Sequence, residues 1–196
     1  MLLFVQIAMV VILRIVLIVL LMLVDMRLLQ TNIQSINTSQ PLLRHAVQRL
    51  HIDVILLQEI WHPADGKINI YNYTHAIIKT RQSSQGGGVA IIAHRNVKVV
   101  HLKEYEVDNL EAVWADVMVG KVRTVVGSVY IPPGDIVALS KLDSVVGEIV
   151  KEHDHLVICM DANSRSTLWD DKCVGIAQSC RSLQMGAKLE EIIHRF

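Results

Sequence analysis

From Met26 onward, apolar residues recur in short runs whose spacing switches between two periods. "MRLLQTNIQSI" is an apolar run passing into a polar turn and predicts a first strand. "TSQPLLRHAVQRL" sets Leu42, Leu43, Ala46, Val47 and Leu50 on one helical face, with Thr38 or Ser39 as the cap and Pro41 in the first turn. "DVILLQEI" reads as a buried strand. The segments "YTHAIIKT", "GGVAIIAHR", "VKVVHL", "LEAVWADVMV" and "KVRTVVGSVYI" are strand-like and separated by polar or glycine-containing turns, which implies extended antiparallel sheet. The helical period returns in "DIVALSKLDSVVGEIVKEH", where Leu139, Leu142, Val146, Ile149 and Val150 form the inward stripe. The strand "HLVICM" follows, then a loop of about twenty residues, then a helix near "QMGAKLEEIIHRF". No repeat or linker interrupts residues 26–196, and the pattern describes one α+β domain of two packed sheets with outer helices.

Residues 1–24 are nearly all apolar. As a helix they would extend about 36 Å, enough to cross a bilayer core, with Arg14 costing roughly 2.5–3.5 kcal/mol on insertion. The segment therefore reads either as a transmembrane anchor or as a leader outside the working domain. A cleaved signal peptide fits less well, because no basic residue precedes the apolar run.

Composition adds limits. A hydrophobic fraction of 52% with net charge +0 describes a globular chain and gives no electrostatic argument for a nucleic-acid partner. Cys159, Cys173 and Cys180 lack metal-ligand spacing and read as core or incidental thiols.

The candidate chemistry lies where apolar strands end. "LLQTN" ends in Asn32, "VILLQE" in Gln58 and Glu59, "LVICMDAN" in Asp161 and Asn163, and "VVGSVYIPP" carries Tyr130 just before Pro132. If these ends share one edge of a sandwich, they surround a cleft with the oxygen donors a hard divalent cation takes, leaving other positions to water and a phosphate. Taken singly, each has a plainer reading: Asn32 as a turn former, Glu59 as a solvated strand end, Tyr130 as a sheet aromatic, Asp161 and Asn163 as an Asx turn.

The ordered set of "LLQTNIQSI", "LLQEIW", "QGGGVAIIAHR", "LEAVWADV", "GSVYIPPG" and "VICMDANSRSTLW" resembles the endonuclease/exonuclease/phosphatase superfamily, and within it the endonuclease domains of non-LTR retrotransposons. The resemblance implies a four-layer α/β sandwich and a Mg²⁺- or Mn²⁺-dependent endonuclease that nicks DNA. It implies Glu59 as metal ligand with Asn32 beside it, and Asp161 orienting or deprotonating the attacking water. Asn163 would hold the scissile phosphate, Tyr130 would support the charge on it, and Arg165 and Trp169 would face the substrate. Fusion to a reverse transcriptase and nuclear localisation follow from the same likeness, membrane localisation from an anchor. The same fold also serves phosphatases and sphingomyelinase-like enzymes at membranes, and a catalytically dead remnant is the reading from another class.

Two departures matter. The family's Gly-Asp-aromatic-Asn pattern has Met160 and Ala162 in place of the glycine and the aromatic residue. Nothing after Asn163 matches the family's final Ser-Asp-His segment, and His194 sits in a terminal helical pattern as a surface residue. The expectation is a domain lacking its last strands, with an uncovered sheet edge and impaired turnover; only robust nicking would point to another residue, His62 or His94 first, in the missing histidine's part.

Overall fold

The computed structural model describes residues 6–11, 19–23, 26–61, 68–81, 86–164, 166 and 181–195. Two five-stranded sheets pack face to face. The first runs in the order β2 (Val19–Leu23), β3 (Met26–Asn32), β4 (Val54–Gln58), β6 (Val89–His94) and β5 (Tyr73–Lys79). The second runs β1 (Gln6–Val11), β10 (His155–Asp161), β9 (Val122–Tyr130), β8 (Glu111–Val119) and β7 (Lys98–His101).

Period-two alternation builds the layers. Leu28 and Leu56 face Val113, Val126, Val157 and Cys159 across the interior between the sheets. Their neighbours Leu29, Ile55 and Leu57 point the other way, onto Ile36, Leu43 and Val47 of helix α1 (Ile36–Leu50). The outer face of the second sheet is covered by Leu139, Leu142, Val146 and Ile149 of α2 (Ile136–Glu152) and by Met185, Leu189 and Ile192 of α3 (Arg181–Arg195). The order is helix, sheet, sheet, helix, the four-layer α+β sandwich expected from the sequence. Gly127 stands opposite Trp114 in the β8–β9 register, and a Cβ there would fall within the indole ring, so this glycine makes the room for the fully buried tryptophan.

Two crossovers fix where chemistry can occur. β3 and β4 are parallel and joined through α1, and β9 and β10 are parallel and joined through α2. All four strands deliver their C-terminal residues to one edge of the sandwich, the place where open α/β sheets bind ligands.

Several sequence expectations change. α1 begins at Ile36, not after Thr38 or Ser39, because Ile36 is buried and its N–H bonds the Ile60 carbonyl at 3.0 Å. Thr38 and Ser39 lie in the first turn and donate to the carbonyls of Ser35 and Ile33, and Pro41 is inside the helix. Leu42 is exposed, so the inward stripe of α1 is narrower than its sequence suggests. On α2 the stripe includes Ala138 and Val145, with Val150 only half-buried.

The apolar N-terminal segment gives the largest correction. Its described residues form strands, not a helix: β1 pairs in parallel with β10, Gln6 opposite His155, and β2 pairs antiparallel with β3, Val19 opposite Gln30. No helix among the described residues is long and apolar enough to cross a membrane. The uncovered edge expected for this domain is likewise not found at β3 or β10, since β2 and β1 pair there. The physical reason is that a short all-apolar run is compatible with a strand as well as with a membrane helix, and periodicity does not separate the two.

Candidate active site

The cleft rests on a buried polar ladder between the sheets. Gln30 Nε2 donates to Gln58 Oε1 and to the Met160 carbonyl, both at 3.1 Å. Gln58 Nε2 donates to Ser128 Oγ at 3.0 Å and to the Cys159 carbonyl at 3.2 Å, while Ser128 Oγ donates to the Leu57 carbonyl at 2.8 Å. All three side chains are fully buried. Each bond contributes about 1 kcal/mol when made, and a group left unpaired costs ~1–3 kcal/mol, so the ladder penalises any slip of one sheet over the other. Its effect is to hold the ends of β3 and β4 opposite those of β9 and β10.

Above the ladder sit the residues singled out from sequence. Asp161 closes β10 and is 1% exposed. Its Oδ2 accepts the Asn32 amide at 2.6 Å and its Oδ1 accepts the Asn163 backbone N–H at 3.1 Å. Asn32 therefore lies against Asp161, and its Oδ1 accepts the Gln34 N–H at 3.2 Å. Asn163 adopts φ 45° and its carboxamide donates to the Ile131 carbonyl at 3.0 Å, so the Asx turn and the placement of its side chain in the cleft are one arrangement.

Tyr130 links the two halves of the cleft. Its hydroxyl lies beside the Glu59 carboxylate and the Asn163 carboxamide, both close enough to act on its ionisation. Burial first, and then the nearby Glu59 charge, hold the phenol well above its ordinary value of 10, so it stays a neutral donor. Glu59 itself follows β4 in a left-handed conformation, φ 51°, and Trp61 repeats that conformation at φ 58°. Such backbone in non-glycine residues costs about 1–3 kcal/mol and persists only where the surroundings over-determine it. Here both sides do: the Glu59 carbonyl accepts the Ser35 N–H at 2.9 Å, Ile60 N–H reaches the Gly88 carbonyl at 3.3 Å, and Trp61 N–H reaches the Gly87 carbonyl at 2.9 Å.

The structure thus brings Asn32, Glu59, Tyr130, Asp161 and Asn163 to one edge. Arg165 and Trp169, the expected substrate contacts, lie outside the described residues. His94 is not at this edge. It ends β6 at the opposite end of the sandwich, against the ring of Tyr73, and His62 lies outside the described residues. His194 is exposed on α3, as expected.

The model of the Endonuclease/Exonuclease/phosphatase family matches residues 29–172. The chain belongs to that family. Among solved structures, the endonuclease domain of TRAS1, a telomere-specific non-LTR retrotransposon, superposes with TM-score 0.63 at 19% identity, covering 85% of this chain and 70% of that one. An AP endonuclease from Archaeoglobus fulgidus gives TM-score 0.58 at 18% identity, covering 87% and 70%. A 3′ phosphatase from Neisseria, solved bound to product DNA hairpin, gives 0.58 at 17%, covering 85% and 71%. No curated protein matches the chain. At these identities the neighbours establish the fold.

Sequence reasoning missed two charged members of the site. Arg81 lies over the Tyr130 ring, 5.8 Å from its centroid, and its Nε donates to Glu111 Oε1 at 2.8 Å. Glu111 also accepts the Gly88 N–H. An acid opening the apolar strand "EAVWADV" was a visible anomaly in the sequence; an arginine in a polar loop was not.

Proposed function

We propose that this cleft is a divalent-metal phosphodiesterase site and that its substrate is DNA, nicked by hydrolysis as in the retrotransposon endonucleases. The observation that carries the reading is the convergence of Glu59, Tyr130, Asp161, Asn32 and Asn163 at the C-terminal ends of four strands, with Asn32 and Asn163 hydrogen-bonded to Asp161 and the Tyr130 phenol beside Glu59.

The donor set fits a hard cation. It offers carboxylate, carboxamide and phenol oxygens and no thiolate or imidazole, the oxygen-only chemistry that hard cations take. Mg²⁺ or Mn²⁺, held by Glu59 with Asn32 nearby and otherwise by water, would neutralise charge developing on the phosphate oxygens. Asp161, its geometry fixed by two neutral amides, orients the attacking water and takes its proton. Asn163 and Tyr130 are uncharged donors, able to approach a phosphate that a further carboxylate would repel.

Residues 164–196 contain no Ser-Asp-His segment, the part of the family pattern that supplies a histidine. We expect residues 1–196 by themselves to bind Mg²⁺ but to nick supercoiled plasmid slowly, and the final strands of a family member with that segment, appended, to raise the rate. Calorimetry on the wild type and Glu59→Gln tests the site itself. Affinity about 10-fold weaker in the variant is the expected result. Equal affinity removes Glu59 from the site, and nicking that survives Asp161→Ala sinks the hydrolytic reading. The membrane-enzyme alternative rested on the apolar segment, whose described residues pair as strands.

A further inference from the structure

Glu111 and Arg81 belong to no part of the chemistry described above, yet they stand at the junction of both sheets beside it. Glu111 opens β8 and lies opposite Tyr130 in the β8–β9 register. Its side chain is 16% exposed, and that of Arg81 is 27% exposed. The carboxylate reaches in two directions at once. One oxygen takes the Arg81 guanidinium, and the other takes the backbone N–H of Gly88, in the opposite sheet's β5–β6 connection.

Each direction leads to a different functional residue. Gly88 and its neighbour Gly87 supply the carbonyls that bond Ile60 and Trp61, and those bonds close the left-handed turn carrying Glu59. Arg81 is held over the ring of Tyr130, whose phenol lies beside Glu59. Space is tight enough to show that the pair is seated, not draped: a Cβ on Gly87 would lie 2.5 Å from Glu111 Oε2 and 2.7 Å from Arg81 Cζ, and Gly87 has φ +70°.

We propose that Glu111 is a positioning residue of the cleft, clamping the Gly87–Gly88 turn and Arg81 so that the Glu59 carboxylate and the Tyr130 hydroxyl are presented together. The proposal rests on the reading of the cleft as a metal-dependent phosphodiesterase. A charge is used because a single neutral acceptor would hold one of the two partners, whereas an ionised carboxylate holds both with charge-assisted bonds. The Glu59 turn is the member that needs holding, since its backbone would relax without the Gly87 and Gly88 carbonyls in place.

The test compares residues 1–196 in wild-type form with Glu111→Gln, which keeps the shape and removes the charge. Thermal melts confirm that the variant is folded, amide hydrogen exchange reads the clamp, and calorimetry with MgCl₂ reads its consequence. The clamp predicts faster exchange at Ile60 and Trp61, with no change at the Val54–Ala93 pairing at the far end of the same strands. It also predicts Mg²⁺ affinity about 10-fold weaker and residual nicking reduced in kcat with KM for plasmid unmoved. Gly87→Ala, which drives a methyl group into the pair, should reproduce both effects, so a failure of one variant to fold leaves the other to decide. Unchanged exchange at Ile60 and Trp61 overturns the clamp. Altered exchange with unchanged Mg²⁺ affinity overturns its positioning role. Absence of Mg²⁺ binding in the wild type defeats the parent reading instead, and the exchange data then still decide whether Glu111 holds the turn.

Discussion

The two ends of the sandwich are made from the same strands and solve the same problem of turning the chain, by different means. At the far end, the left-handed residues are His51, at the C-cap of α1, and Asn72, in the turn before β5. These are the places and residue types where such backbone is ordinary. That end is tied together by bonds within one sheet: Asp53 Oδ2 accepts the Arg27 N–H at 2.8 Å, and the Tyr73 hydroxyl donates to the Ile52 carbonyl at 2.6 Å. At the cleft end the left-handed residues include Ser35, Glu59, Trp61 and Asn163, and the bonds run between sheets through Gln30, Gln58, Ser128, Glu111 and Arg81. One end closes the fold at low cost. The other holds strain in place with buried polar contacts, the pattern of a site pre-organised for a ligand.

The sharpest way to break this contrast is to remove one carboxylate from each end. Asp161→Ala should lower nicking by roughly 10³-fold, whereas Asp53→Ala should leave the rate per folded molecule unchanged and cost only about 1 kcal/mol of stability. Plasmid nicking with a parallel urea titration separates the two. Comparable loss of activity from both would mean that the ends are not functionally distinct.

Next in size is the ladder. Gln58→Leu removes its central member and leaves Gln30 and Ser128 facing an apolar group, at an expected cost of ~2–3 kcal/mol in urea unfolding. A loss under half that size would show that the ladder does not fix the register of the sheets.

Glycine sharpens the comparison further. Glu59→Gly and His51→Gly each relieve a left-handed residue and should each raise stability by about 1 kcal/mol, but only the first should abolish Mg²⁺ binding. Stabilisation by His51→Gly alone would show that the Glu59 turn carries no strain.

The smallest effect is alkaline. Tyr130 ionises later in the folded chain than at its ordinary value of 10, so unfolding is favoured from that pH upward while stability below it is unaffected. Tyr130→Phe should flatten the loss of stability above pH 10 relative to wild type, read from denaturant midpoints at pH 8 and near pH 11. Parallel declines in both proteins would show that the phenol is not buried against Glu59.

How legible this was depended on whether the signal was local. Most of the strands and helices were read from period and turn residues, and the residues of the cleft stood out because polar groups ended apolar strands at Asn32, Glu59, Tyr130, Asp161 and Asn163. The start of α1 was missed because the Ile36 contact with Ile60 is tertiary. Arg81 gave no signal because its importance comes from Glu111 and Tyr130, far away in sequence and adjacent only across the sandwich. The strands β1 and β2 were not foreseen, because an all-apolar run long enough to span a membrane left open only an anchor or a leader outside the domain, and its pairing partners are far away in sequence.

The pairing of β1 also sets an order in time. Residues 6–11 leave the ribosome before His155–Met160, the segment they lie beside, has been made. An apolar stretch must therefore wait, unpaired, through synthesis of nearly every other strand, and the closing of that ladder spans most of the chain, which makes it a slow step. During that interval the growing chain presents an unpaired apolar segment to whatever binds nascent polypeptides. Residues 6–11 are in this way made well before their partner strand and placed only once it exists.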